Sequence, residues 1–146
     1  MDLALAEAKK AFEIGEVPIG AVVVRGDEVI ALAHNHRETA KNALGHAELL
    51  AIDEACKKLG GWRLIGCTMY VTLEPCLMCA GAIINSRIER LVYATRDPKA
   101  GAVDSLYDVL RDSRLNHQVE VIEGVLAEES SRLLKQFFQE LRRAKG

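Results

Sequence analysis

Long apolar runs are missing from this chain. None approaches the ~20 residues that a bilayer-spanning helix needs, so no membrane anchor is expected. A secretion signal is missing too: the opening MDLALAEAKKAF has apolar residues at helical spacing, with neither a basic first segment nor a continuous apolar core. Neither sign of charge dominates. The 19 basic and 21 acidic side chains leave a net charge of −2. That excludes a global pull toward nucleic acid and leaves any such partner to a local basic patch. There is no internal repeat, low-complexity segment or linker. Cysteine is sparse, at four residues. In a chain without a secretion signal those thiols are expected to meet the reducing cytoplasm, which argues against a structural disulfide.

What is there reads as an ordinary folded protein. The 146 residues, 49% of them hydrophobic, are expected to form one domain over residues 1–146 with a sizeable core. Apolar residues recur at helical spacing from Leu3 to Ile14, and Gly15 ends the run. IGAVVVRGDEVIALAHN reads as two strands around a tight turn at Gly26-Asp27. GHAELLAIDEACKKLGG reads as a helix stopped at Gly60-Gly61. CTMYVTL is rich in strand formers, and EPCLMCAGAIINSR reads as a helix with Pro75 in its first turn. RLVYAT and VEVIEGVL predict further strands, and SLYDVLRD a short helix. EESSRLLKQFFQELRRAK predicts a long terminal helix with an apolar stripe at Leu133, Leu134, Phe137, Phe138 and Leu141. A hairpin followed by alternating helices and strands predicts an α/β fold, a mainly parallel sheet with helices on both faces. Such sheets place ligands beyond the carboxyl ends of their strands.

Two segments fall at that edge. His46-Ala47-Glu48 opens one helix, and Cys76 and Cys79 open another. Cysteines at i and i+3 share a helix face, a helix N-terminus favours thiolates, and His46 supplies a third donor. Two thiolates and an imidazole suit zinc. Three protein ligands leave one position for water, which marks a catalytic site rather than a closed structural one. Cys56 and Cys67 fall within a helix and at a strand start and are expected to be core thiols; His34, His36 and His117 lie in or near loops. Glu48 taken alone would be a solvated helix carboxylate. Two residues from a ligand, on a helix that aims its first turn at the metal, it is placed to move protons. HAE alone is common and PCxxC alone only suggestive. In this order, with a helix and a strand between them, they match the zinc nucleobase deaminase pattern, where the glutamate is acid and base and not a ligand.

Beyond these motifs the sequence resembles the bacterial tRNA adenosine deaminases along nearly its whole length. The resemblance rests on EVPIGAVVV, HNHRE, GHAELLAI, TLEPCLMCAGAI, RLVYATRDPKAGAVDSLYDVL and LNHQVEVIEGVLAEE with the helix after it. KNALGHAE departs from the DPTAHAE common in that family, while the spacing of His46 and Glu48 is unchanged. The resemblance implies a three-layer α/β/α cytidine-deaminase-like fold with a five-stranded mixed, mainly parallel sheet. It implies a homodimer, one Zn2+ per chain on His46, Cys76 and Cys79, and Glu48 as proton shuttle. It implies Asn35 and Ala47 as substrate-binding residues, where Asn35 read alone would be a turn asparagine. The implied reaction is hydrolytic conversion of adenosine to inosine at the wobble position of a tRNA anticodon stem-loop, whose base must be extruded to react. Arg142, Arg143 and Lys145, beside Arg132 and Lys135, are candidates for the RNA backbone, or a solvated helix face. Phe137 and Phe138 divide between packing and base stacking. Three rivals stay open: a deaminase of free bases or nucleosides, a non-catalytic zinc-stabilised binding module, and a metal-free redox pair at Cys76 and Cys79.

Overall fold

The structure, a computed structural model, describes residues 1–145. Helix α1 (Asp2–Glu13) leads into the hairpin β1 (Gly20–Arg25) and β2 (Glu28–His34). Then come α2 (Ala47–Leu59), β3 (Cys67–Leu73), α3 (Leu77–Asn85), β4 (Arg90–Thr95), β5 (Glu120–Glu123) and α4 (Ala127–Lys145). The five strands form one sheet in the order β2-β1-β3-β4-β5. Strand β1 is antiparallel to both β2 and β3, whereas β3, β4 and β5 run parallel. The sheet is five-stranded and mixed, as the resemblance implies, but not mainly parallel: two of its pairings are antiparallel and two parallel, because β1 opposes both its neighbours. Strands β2 and β3 therefore run the same way and end at the same edge. The chain leaves β2 toward His46 and leaves β3 toward Cys76, so the antiparallel hairpin is what brings the two segments together.

Register sorts the side chains into two buried layers. Ala21 pairs with Val71 and Val71 with Tyr93, while Val23 pairs with Met69 and Met69 with Leu91. These rows share one core cluster with Ala47, Ala51 and Ala55 of α2 and Ala80 and Ile83 of α3. Each large apolar side chain there contributes on the order of 1.5–3 kcal/mol by leaving water. The alternate residues Val22 and Val92 are also buried, on the face covered by α1 and α4. Helix α1 buries Ala4, Ala8 and Ala11 and rests directly on β1. A Cβ added at Gly20 would lie 2.0 Å from the Ala4 carbonyl oxygen, so only glycine fits there. Thr72 ties this face together: the Gly20 N–H donates to its hydroxyl (3.1 Å), and the Ser130 hydroxyl of α4 donates to its carbonyl (2.6 Å).

Two local expectations differ from what forms. Pro75 lies just before its helix rather than in the first turn, and Cys76 is the N-cap of α3. The helix expected over SLYDVLRD does not form; residues 105–112 run through turns and irregular backbone. The reason is long-range. The N–H groups of Val103, Asp104 and Ser105 point to the Glu74 carboxylate, and the Val109 N–H bonds the Ala102 carbonyl. A helix over 105–112 would need the Val109 N–H for the Ser105 carbonyl, and that N–H is committed to Ala102.

Candidate metal centre and active site

His46 is the N-cap of α2 and Cys76 the N-cap of α3, both with extended backbone (ψ 144° and 177°). Cys79 follows in the first turn of α3. His46 Nδ1 lies 3.7 Å from Cys76 Sγ and 3.5 Å from Cys79 Sγ, and the three donor atoms fall within 4.8 Å of one another. A tetrahedral zinc with ordinary Zn–S and Zn–N bonds sets N···S edges of about 3.6 Å, so the donor set fits that ion as it stands. Among the described residues no other cluster of three histidine, cysteine or carboxylate side chains is spaced this way. Cys67 is buried, Cys56 reaches the Trp62 carbonyl, His34 bonds Glu7 and His117 bonds the Ile88 carbonyl. Hydrogen bonding from Cys79, helped by His46 and opposed by burial, holds the Cys76 thiol far below its usual range, at about 4. The same bond pushes Cys79 up, and the bond with Cys76 raises His46.

His46, Cys76 and Glu48 open on a cavity of about 490 Å³ that Val17, Ile19, Asn35 and Leu73 also line, within the usual size of a small-molecule site. Glu48 is only 4% exposed, and burial pushes its carboxyl up to about 7. It is therefore not the solvated helix carboxylate that its position alone would suggest. Asn35, 5% exposed, is held at both ends of its amide. Its Nδ2 donates to the Val17 carbonyl (3.3 Å) and its Oδ1 accepts the Arg37 N–H (3.1 Å). One N–H and one oxygen lone pair remain available. Asn35 thus both closes a turn with Arg37 and lines the cavity. Ala47 is different. Its methyl is buried in the core cluster and does not line the cavity, which leaves its backbone N–H at the start of α2 as its polar group.

A second depression adjoins the first and is lined by Thr95, Lys99, Lys135, Gln139 and Arg142, with Arg96, Leu134 and Phe138 also in the lining. Arg96, Lys99, Leu134 and Phe138 border both. Arg96 pairs with Glu123 (2.8 Å), so Lys99, Lys135 and Arg142 supply the positive field. Of the three backbone candidates, Arg142 lies in this groove, while Arg143 and Lys145 are exposed on the last turns of α4 outside it. The phenylalanines divide as their helical positions require: Phe137 is buried edge-on against Phe12 (5.8 Å), and Phe138 is exposed at the cavity rim.

Three features escape a reading of the sequence. Arg96 and Lys99 enter the cavity from the segment after β4. Glu16, fully buried, caps the N–H groups of Glu38 (3.2 Å) and Thr39 (2.5 Å) and so pins the loop that leads to His46. Glu74 accepts hydrogen bonds from residues 97–105. Burial opposes ionisation of Glu74, but the N–H of Asp104, the hydroxyl and N–H of Ser105 and the N–H of Asp97 prevail and hold its carboxyl down at about 2. The only sequence signal was the presence of carboxylates beside otherwise apolar strand ends.

Fold and donor set together describe a deaminase, and over residues 1–142 the chain matches the family model of the MafB19-like deaminases. The tRNA-specific adenosine deaminase of Bacillus subtilis (strain 168) is 57% identical over 145 residues, covering 99% of this chain and 90% of its own. That of Aquifex aeolicus (strain VF5) is 49% identical over 142 residues, covering 97% and 93%. A solved structure from a study of A-to-I editing by tRNA:A34 deaminases at the wobble position of transfer RNA aligns with a TM-score of 0.88. It is 46% identical and the match covers 92% of this chain and 97% of that one. The chain belongs to the family of tRNA-specific adenosine deaminases.

Proposed function

We propose that residues 1–146 form one zinc-dependent deaminase domain that converts adenosine to inosine at the wobble position of a tRNA anticodon. The observation that carries this reading is the meeting of a histidine–cysteine–cysteine donor set, a buried carboxylate and a fixed amide in one cavity. The relatives' activity, A-to-I editing at A34 among them, supports the substrate. So does the basic groove beside the cavity, which a free nucleoside would not need.

His46, Cys76 and Cys79 would hold the ion. When bound, zinc supplies Lewis acidity that makes water nucleophilic near neutral pH. Glu48 takes a proton from that water at a carboxylate oxygen and delivers it to N1 of adenine. Once the water oxygen has bonded to C6, Glu48 takes the second proton from that hydroxyl and gives it to the amine; the C6–N bond breaks, and adenosine and water become inosine and ammonia. Asn35 orients the base through its free N–H and lone pair, and Ala47 contributes through its backbone N–H. The apolar wall at Val17, Ile19 and Leu73 excludes bulk water. The extruded base leaves its phosphates at the rim, where Lys99, Lys135 and Arg142 receive them.

We further assign the working state as a homodimer. Leu77 and Met78 of α3 and Leu106 and Tyr107 beside it are exposed in the single chain, an apolar set suited to a two-fold contact. A cytoplasmic setting accords with four cysteines of which none is in a disulfide, and no helix among the described residues is long and apolar enough to cross a membrane. The reading is tested by incubating the zinc-loaded protein with a tRNA transcript bearing adenosine at the wobble position and assaying inosine there.

A further inference from the structure

Glu74 joins β3 to Cys76, is 2% exposed, and forms no ion pair among the described residues. Its carboxylate is held by hydrogen-bond donors alone. It accepts the N–H groups of Asp97 (3.0 Å), Val103 (3.0 Å), Asp104 (2.7 Å) and Ser105 (2.9 Å), and the Ser105 hydroxyl (2.5 Å). All of them come from a segment without regular secondary structure. Bonds to an ionised acceptor are roughly twice as strong as neutral ones, so this carboxylate is the principal organiser of that segment. Gly101 is where the chain passes the carboxylate: an added Cβ would lie 2.3 Å from its carbon and 2.4 and 2.5 Å from its oxygens.

The order is handed on toward the cavity. The Asp97 carboxylate accepts the N–H groups of Lys99 (3.1 Å) and Ala100 (3.2 Å), and the Gly101 N–H bonds the Asp97 carbonyl (2.9 Å). Residues 97–100 form one wall of the cavity. The geometry points to Glu74 as a positioning residue: through Asp97 it fixes the wall at residues 97–100 where that wall meets the substrate. It governs how tightly the anticodon loop is seated and not the chemical step. This role rests on the deaminase reading above. The competing role is support of Cys76, since the Ala102 N–H also bonds the Pro75 carbonyl (2.9 Å). The two roles make opposite demands on zinc content and on kcat.

The test uses the zinc-loaded full chain and three variants. Glu74→Gln keeps the shape but turns an NH2 toward N–H donors. Gly101→Ala keeps the charge and displaces the segment. Ser105→Ala removes a single donor and is the mildest. Amide exchange is followed in peptides covering 96–106, zinc is measured, and KM and kcat are determined on an anticodon stem-loop. Glu74→Gln and Gly101→Ala should keep parental zinc and exchange about tenfold faster over 97–105, with the core strands unchanged. Their KM should rise about tenfold with kcat within about threefold of the parent, the mark of lost uniform binding. If Glu74→Gln does not fold, Ser105→Ala decides the matter, with KM raised about threefold at steady kcat. Parental exchange over 97–105, or faster exchange at parental KM, overturns the role. Loss of zinc, or of kcat at parental KM, overturns it in favour of Cys76 support. A parent chain that forms no inosine on the stem-loop would sink the functional reading instead, and the exchange data would still decide whether Glu74 anchors the wall.

Discussion

In the proposed reaction Glu48 is the residue that moves the protons. Its burial beside the three donors leaves it facing the cavity rather than solvent. Glu48→Gln keeps the volume and the metal donors and removes the ability to carry a proton. Metal analysis should find parental zinc, and single-turnover assays should show inosine formation slowed by about 10²–10⁴-fold or more, the usual contribution of a general acid–base group. Near-normal turnover in that variant would remove Glu48 from the mechanism. At this scale the sequence was most legible where geometry is local. His46, Cys76 and Cys79 are set by two helix starts, with Cys76 as the N-cap of α3 and Cys79 in its first turn. Glu74 was illegible because its donors lie 23 to 31 residues away in a loop. No periodicity or motif connects a carboxylate to N–H groups at that distance.

Among the elements, α4 shows how far a pattern carries. Its apolar stripe was readable, and Phe137 packs on α1 as such a stripe requires. Which of its cations matter was not readable, because that depends on where the helix lies against the segment after β4. The structure separates them: Lys135 and Arg142 line the groove, and Arg143 and Lys145 do not. Neutralising Lys135 and Arg142 together should weaken stem-loop binding and flatten its salt dependence, by ~0.7–0.9 in log–log slope for each phosphate that no longer meets a cation. Neutralising Arg143 and Lys145 should do so much less. Binding titrations at several salt concentrations check both pairs, and equal effects would dissolve the distinction. The failed helix at SLYDVLRD teaches the complementary lesson. Its local pattern is helical, but the Val109 N–H bonds the Ala102 carbonyl and not that of Ser105, and Leu110 is drawn into the core. Tertiary bonds to buried groups outweigh a weak local preference.

For the whole molecule, the mixed sheet is what assembles the site: the antiparallel β1 returns the chain so that β2 and β3 deliver histidine and cysteines to one edge. The sequence showed the hairpin, the alternation and a nearly all-apolar first strand suited to the interior of a sheet, but not that the second neighbour of β1 would be β3. The exposed apolar side chains near α3 predict association. Sedimentation at micromolar concentration should give a dimer, and Met78→Asp with Tyr107→Asp should give a folded monomer with impaired tRNA deamination; a fully active parental monomer would contradict that. The central claim is the substrate, and it is tested most directly by mapping inosine. The zinc-loaded protein is given, in parallel, a tRNA transcript with adenosine at the wobble position, the isolated anticodon stem-loop, and free adenosine. Inosine is expected at the wobble position of both RNAs, with little from free adenosine and none with Glu48→Gln over the same interval. Inosine from free adenosine at a comparable rate, or an unchanged wobble adenosine in both RNAs, would contradict the claim.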